Sequence, residues 1–137
     1  MGKDIVLKIT FLNSRIQSFK NAFIGWWHVI RTQKNAWIHA VATVTALLVS
    51  IWLQIPLRDW AVLILTIAVV WTAEFLNTAL EIVVDLASPD LHPLAKVGKD
   101  VGAAAVLIAA GSSVAIGIIL LGPPLFYKLE TLWIALR

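Results

Sequence analysis

The 137-residue sequence predicts an all-α membrane protein, with an N-terminal amphipathic surface helix ahead of three transmembrane helices. Three observations predict it. Of the residues, 60% are hydrophobic and 14% charged, against roughly half and about a quarter in soluble domains. Three apolar stretches are long enough to cross a hydrocarbon layer, which takes about 20 residues. The chain has seven tryptophans, and most of them flank those stretches, as expected of rings anchored at headgroup level. Helices are expected because open strands leave backbone groups unpaired in lipid.

The surface helix is placed at 14–35, SRIQSFKNAFIGWWHVIRTQKN. Ile16, Phe19, Phe23, Trp26 and Ile30 recur there at three- and four-residue steps, with Arg15, Lys20, Asn21, His28 and Arg31 largely off the stripe. Such a helix lies in the membrane plane, its basic face toward anionic headgroups. The first span is 36–53, AWIHAVATVTALLVSIWL, uncharged apart from a possible charge on His39. The second, 60–84, opens WAVLILTIAVVW, and the third, 101–121, opens VGAAAVLIAAG and is expected to stop before Pro123 and Pro124. Leu125, Leu129, Leu132 and Leu136 mark the tail 123–137 as a second surface helix. All of 1–137 reads as one membrane domain. MGKDIVLKITFLNSRIQ lacks the apolar run and cleavage site of a signal peptide. The chain has no cysteine, which excludes disulfides and thiolate metal sites.

Basic residues set the expected orientation. Lys3, Lys8, Arg15, Lys20, Arg31, Lys34, Lys96 and Lys99 fall in the N-terminal segment and the 85–100 loop. Only Arg58, Lys128 and Arg137 fall on the opposite side. The N-terminus and the 85–100 loop are therefore expected in the cytoplasm.

The second span ends AEFLNTALEIVVD, and five of the eight carboxylates of the chain lie between Glu74 and Asp100. On a helix at about 100° per residue, Glu74, Asn77, Glu81 and Asp85 share one face. A carboxylate in lipid costs about 3 kcal/mol or more unless paired, hydrated or liganded. Neighbouring carboxylates also repel, so a cation is an obvious neutraliser, and hard oxygen ligands suit Mg²⁺ together with substrate phosphates. Pairing with a neighbouring helix is the alternative, and for Asp85 a solvated or capping role. An ion path would want acids through the whole bilayer, yet they stop at Glu74. In the loop DLASPDLHPLAKVGKD, Lys99 suits phosphate oxygens or serves as a positive-inside anchor, and His92 reads as a loop hydrogen-bonder rather than a metal ligand. No P-loop, Gly-rich kinase loop or Ser-His-Asp arrangement is present, and no nucleic-acid partner is expected.

AEFLNTALEIVVD followed by HPLAKVGKDVGAAAVL resembles the signature of the prokaryotic integral-membrane diacylglycerol kinases, a family that includes the undecaprenol kinases. The resemblance implies a homotrimer in the bacterial plasma (inner) membrane, with active sites shared between subunits. It would transfer the γ-phosphoryl of MgATP to a lipid hydroxyl. By position, it makes Glu74 the general base and Glu81 the Mg²⁺ ligand, with Asn77 in support. Lys99 and Asp100 match the nucleotide-contacting pair, and Asp90, Leu91 and His92 the nucleotide-side loop. Arg15 lies close to the N-terminal basic position that meets lipid. Gln33 stands where well-known members carry a second metal-binding glutamate; its carboxamide oxygen can ligate but brings no negative charge, so Asp85 or Asp100 could be recruited. Asn35 and His39 resemble a stretch of the Gram-positive undecaprenol kinases. Ala103 stands where diacylglycerol-specific enzymes tend to have serine. Undecaprenol is therefore the expected acceptor, with diacylglycerol as the alternative. A catalytically decayed scaffold or regulatory subunit is the non-enzyme alternative.

Overall fold

The computed structural model describes the backbone of residues 2–90 and 92–136, with side chains from Ser14 onward in those ranges. Four helices follow one another: α1 Gly2–Thr32, α2 Lys34–Leu53, α3 Leu57–Ala87 and α4 Pro93–Ala135. They form two compact units, Met1–Lys34 and Asn35–Arg137. Among the described residues there is no strand. The helices α2, α3 and α4 are each long and apolar enough to cross a membrane, so the chain is a membrane protein.

The first unit is α1. It starts at Gly2 rather than at 14 and ends at Thr32, leaving only Gln33 outside a helix before α2 begins. The sequence accounts for the earlier start, since Ile5, Ile9 and Leu12 continue the spacing of Ile16 upstream. Ile16, Phe19, Phe23 and Trp26 are exposed along this helix, while Val29 and Ile30 are buried. Arg31 stacks over the Trp27 ring at 6.0 Å, a cation–π contact that keeps the charge near its own helix.

In the second unit, α2 ends in a Schellman motif. Gln54 N–H donates to Ile51 O at 3.1 Å and Ile55 N–H to Ser50 O at 3.3 Å, which satisfies carbonyls the helix leaves open. Gln54 takes the left-handed conformation there, φ 54°, and Ile55 is buried beyond it. Pro56 then caps α3 in an extended conformation. The helix starts at Leu57, one turn before the expected 60, and continues past 84 to Ala87. Ser88 closes it by donating its backbone N–H to Val84 O at 2.9 Å.

His92 caps α4: its Nδ1 accepts from Leu94 N–H at 3.2 Å, and Pro93 takes the first turn, where a missing N–H costs nothing. α4 then runs for 43 residues without interruption. The expected break before Pro123 and Pro124, with a separate tail helix over 123–137, is not what forms. Those prolines remove two N–H donors, but a break between lipid-facing segments would free more backbone groups than it spares. Lys128 also lies 5.9 Å from the Trp52 ring, tying the end of α4 to the end of α2. At about 1.5 Å per residue α4 is roughly twice as long as a hydrocarbon core is thick.

α3 and α4 form the close pair of the unit. α2 meets α3 through side chains: Trp71 Nε1–H donates to Thr43 Oγ1 at 3.1 Å, and His39 approaches Glu74.

Candidate active site

The polar face of α3 runs from the interior outward. Glu74 is 1% exposed, and Asn77 and Thr78 beside it are also buried. Glu81 is half-buried and Asp85 is exposed. The carboxylates of this face are therefore buried at mid-helix and become exposed toward its last turns, with roughly 10 Å of rise between Glu74 and Glu81.

Two neighbours hold this face in place. Thr78 Oγ1–H donates to Glu74 O at 2.9 Å, folding its hydroxyl back onto α3. Asn77 Nδ2–H donates to Glu81 Oε1 at 3.1 Å, so Asn77 orients Glu81 one turn along. Gly102 of α4 permits this arrangement, because a Cβ there would overlap Asn77 Oδ1 and lie 3.0 Å from Leu80 Cδ2. The sequence marks Gly102 only as one of several small residues in the third span; which of them faces Asn77 depends on the rotation of α4 against α3.

Glu74 Oε2 and Asn77 Oδ1 are buried without a hydrogen-bond partner among the described residues, as is His39 Nε2. His39 Nε2 is 3.8 Å from Glu74 Oε2, beyond hydrogen-bond length. Unpartnered buried polar atoms cost about 1–3 kcal/mol each, so each calls for a reason such as a catalytic role, a bound water or an ion.

At the junction of α3 and α4, Asp85, Asp90, His92, Lys99 and Asp100 line one cavity of about 250 Å³ together with Ser88 and Lys96. Lys99 Nζ pairs with Asp85 Oδ1, and Lys96 Nζ with Asp100 Oδ2 at 2.6 Å. Ser88 Oγ–H donates to Asp90 O at 3.1 Å, bracing the turn. Lys99 and Asp100 are adjacent in sequence, yet their partners lie on different helices. Lys96 and Ser88 are members of this cavity that the motif alone does not assign. Leu91 lies outside the described residues.

The remaining expected residues are placed individually. Asn35 is exposed near the start of α2, and Ala103 is exposed beside Gly102 on α4. Arg15, exposed on α1, and Gln33, half-buried with its N–H donating to Val29 O at 2.9 Å, belong to the first unit. The site is accordingly built from residues of the second unit.

Glu81 Oε1, oriented by Asn77, is an oxygen donor of the kind Mg²⁺ takes, while Asn77 Oδ1 packs against Gly102. Among the described residues no three His, Asp or Glu side chains gather around one point. This set therefore fits a Mg²⁺ that takes one or two protein ligands and completes its octahedron with phosphate and water.

The family model for prokaryotic diacylglycerol kinase matches residues 20–121, which covers the whole polar face and the α3–α4 junction. The chain belongs to the prokaryotic diacylglycerol kinase family. An undecaprenol kinase of Bacillus subtilis (strain 168) is 37% identical over 114 residues, 83% of this chain and 93% of that protein. A diacylglycerol kinase of Synechocystis sp. is 43% identical over 109 residues, 79% of this chain and 62% of that protein. A diacylglycerol kinase of Escherichia coli (strain K12) is 37% identical over 83 residues, 56% of this chain and 68% of that protein. As a member of this kinase family the chain is an ATP-dependent lipid kinase, embedded in the membrane on which it acts.

Proposed function

We propose that the protein transfers the γ-phosphoryl of MgATP to the hydroxyl of a membrane lipid, undecaprenol in preference to diacylglycerol. One observation carries the chemistry: a carboxylate, Glu74, is buried in a membrane helix with Oε2 unpartnered among the described residues, and its helix leads outward to a cavity lined by lysines and carboxylates. The acceptor arrives from the bilayer and the nucleotide from water, so the base belongs deep and the phosphate ligands belong at the mouth.

Glu74 Oε2 takes the proton of the lipid hydroxyl as its oxygen bonds to the γ-phosphorus. The bond to the β–γ bridging oxygen breaks and ADP leaves. Phosphoryl transfer needs positioning and charge stabilisation more than covalent help. Glu81, oriented by Asn77, would hold Mg²⁺, which neutralises phosphate charge when bound. Lys99, with Asp90, His92 and Asp100 around it, receives the nucleotide. Arg15 and Ala103 are assigned to the lipid, and Gln33 to the metal, on the resemblance alone. Asn35 is assigned as support, and so is Asp85, which holds Lys99 until phosphate takes its place. The working form is a homotrimer with shared sites in the inner membrane, its N-terminus and 85–100 loop cytoplasmic. Support for undecaprenol comes from Ala103, from the stretch NAWIH, and from the undecaprenol kinase that is matched over 93% of its length. The 43% identity to a diacylglycerol kinase keeps that lipid as the second reading.

The test is transfer of label from γ-labelled ATP to undecaprenol and to diacylglycerol in matched bilayers. Labelled undecaprenyl phosphate is the expected main product, and Glu74→Gln should abolish it. Full activity in that variant removes Glu74 from the base role; label on diacylglycerol alone reverses the acceptor preference.

A further inference from the structure

His39 of α2 and Glu74 of α3 meet between their helices with side chains 12% and 2% exposed. Their facing atoms, Nε2 and Oε2, are 3.8 Å apart, and neither has a hydrogen-bond partner among the described residues. A direct hydrogen bond would be about 2.7–3.2 Å long. An oxygen about 2.8 Å from each atom closes a triangle on the observed side, with nearly a right angle at that oxygen. The two atoms are therefore close enough for one hydroxyl to bridge them. A hydroxyl that donates to Glu74 Oε2 and accepts from His39 Nε2–H satisfies both atoms at once.

The imidazole is held for this. Trp71 meets it edge-on, with centroids 6.3 Å apart and planes at 70°. Trp71 is itself fixed by its hydrogen bond to Thr43 and by Phe75, 6.0 Å away. His39 also lines a cavity of about 210 Å³ with Leu63, Val70 and Leu121. The hydroxyls in the cavity wall each have a partner: Thr43 accepts from Trp71 with its own O–H left over, Thr66 donates to Val62 O and Ser113 donates to Ala110 O. The wall therefore offers mostly hydrocarbon contact, and His39 is its one ionisable lining residue. That layout suits an alcohol on a hydrocarbon chain better than water.

We propose that His39 is a second catalytic residue, whose Nε2–H holds the acceptor oxygen while Glu74 Oε2 takes the hydroxyl proton. His39 keeps its own proton throughout; the electron pair of the oxygen forms the bond to phosphorus, and ADP leaves. The assignment rests on Glu74 being the base.

The experiment compares wild type, His39→Leu, His39→Gln and Glu74→Gln, full length in bilayers, varying undecaprenol and ATP separately. Loss of one positioned donor should lower kcat/KM for undecaprenol by about 10²-fold in His39→Leu, with KM for ATP within twofold. His39→Gln keeps an N–H and should recover at least tenfold of the loss. Wild-type kcat/KM in His39→Leu overturns the proposal, as does an equal loss in both variants. If Glu74→Gln is inactive while His39→Leu is fully active, only His39 falls; if Glu74→Gln is active, the base reading falls with it. A readout that survives misfolding of the variants is the ¹⁵N signal of His39 in the wild type. It should shift when undecaprenol is added without ATP, and an unmoved signal overturns the assignment.

Discussion

Gly102 on α4 lies so close to Asn77 on α3 that any side chain there would displace the carboxamide oxygen. Asn77 in turn donates to Glu81, so the approach of two helices fixes the angle of a carboxylate. In Gly102→Ala either Asn77 swings away from Glu81 or the helices part. Overpacking of this kind costs about 1–3 kcal/mol, and the Mg²⁺ concentration for half-maximal activity should rise. Thermal unfolding in detergent and a Mg²⁺ titration check both effects. An unchanged pair of values would contradict the close approach.

Glu81→Gln separates charge from geometry. The Gln oxygen can still accept from Asn77 Nδ2, so the bond that orients the side chain is kept. Only the negative charge is lost. Since the charge of the ligands tunes affinity for hard cations, half-maximal activity should require about tenfold more Mg²⁺. A variant with the wild-type Mg²⁺ dependence would remove Glu81 from the metal.

What local sequence determines was legible. The shared face of Glu74, Asn77, Glu81 and Asp85 follows from helical periodicity alone, and in the structure it grades from buried to exposed along α3. The cavity members Asp90, His92, Lys99 and Asp100 come from a motif that sits on one continuous turn and helix start. The contact of His39 with Glu74 was not legible, because it depends on how α2 docks against α3 across 35 positions. Pro123 and Pro124 misled for a different reason. The rule that proline ends a helix weighs the missing donors against water, which lipid does not supply. The end of α2 at Leu53 falls where its apolar run is expected to end, although Gln54 stands where a Schellman motif usually has glycine.

Lys99 and Asp85 pair across the mouth of the α3–α4 cavity. Asp85 is 64% exposed, and exposed pairs contribute about 0–1 kcal/mol, so Asp85→Asn should leave thermal stability nearly unchanged. Its effect should appear in nucleotide binding. Without the competing carboxylate, Lys99 Nζ is available to phosphate, and KM for ATP should fall two- to fivefold at low ionic strength, less at high salt. Lys99→Met should raise that KM by about tenfold, as expected for the loss of one charge-assisted contact. A rise in KM for ATP with Asp85→Asn would mean that Asp85 itself serves the nucleotide.

Gln54 supplies a test of the fold that leaves the chemistry alone. Its φ of 54° places a side chain in the left-handed region, where an L-residue loses about 1–2 kcal/mol. The two backbone bonds of the motif, to Ile51 and Ser50, need that conformation, and the side chain itself is exposed. Gln54→Gly removes the steric cost but gives the unfolded chain more freedom, an opposing effect of about 0.4–1 kcal/mol. The net expectation is a gain of about 0.5–1 kcal/mol, read as a higher midpoint of thermal unfolding. Gln54→Val should instead lose about 1 kcal/mol or more, since branching at Cβ makes the left-handed conformation worse. Neither variant should alter kcat, because Glu74 lies about 25 Å along α3 from its first turn. Equal stability of the two variants would show that the turn does not depend on the conformation of Gln54.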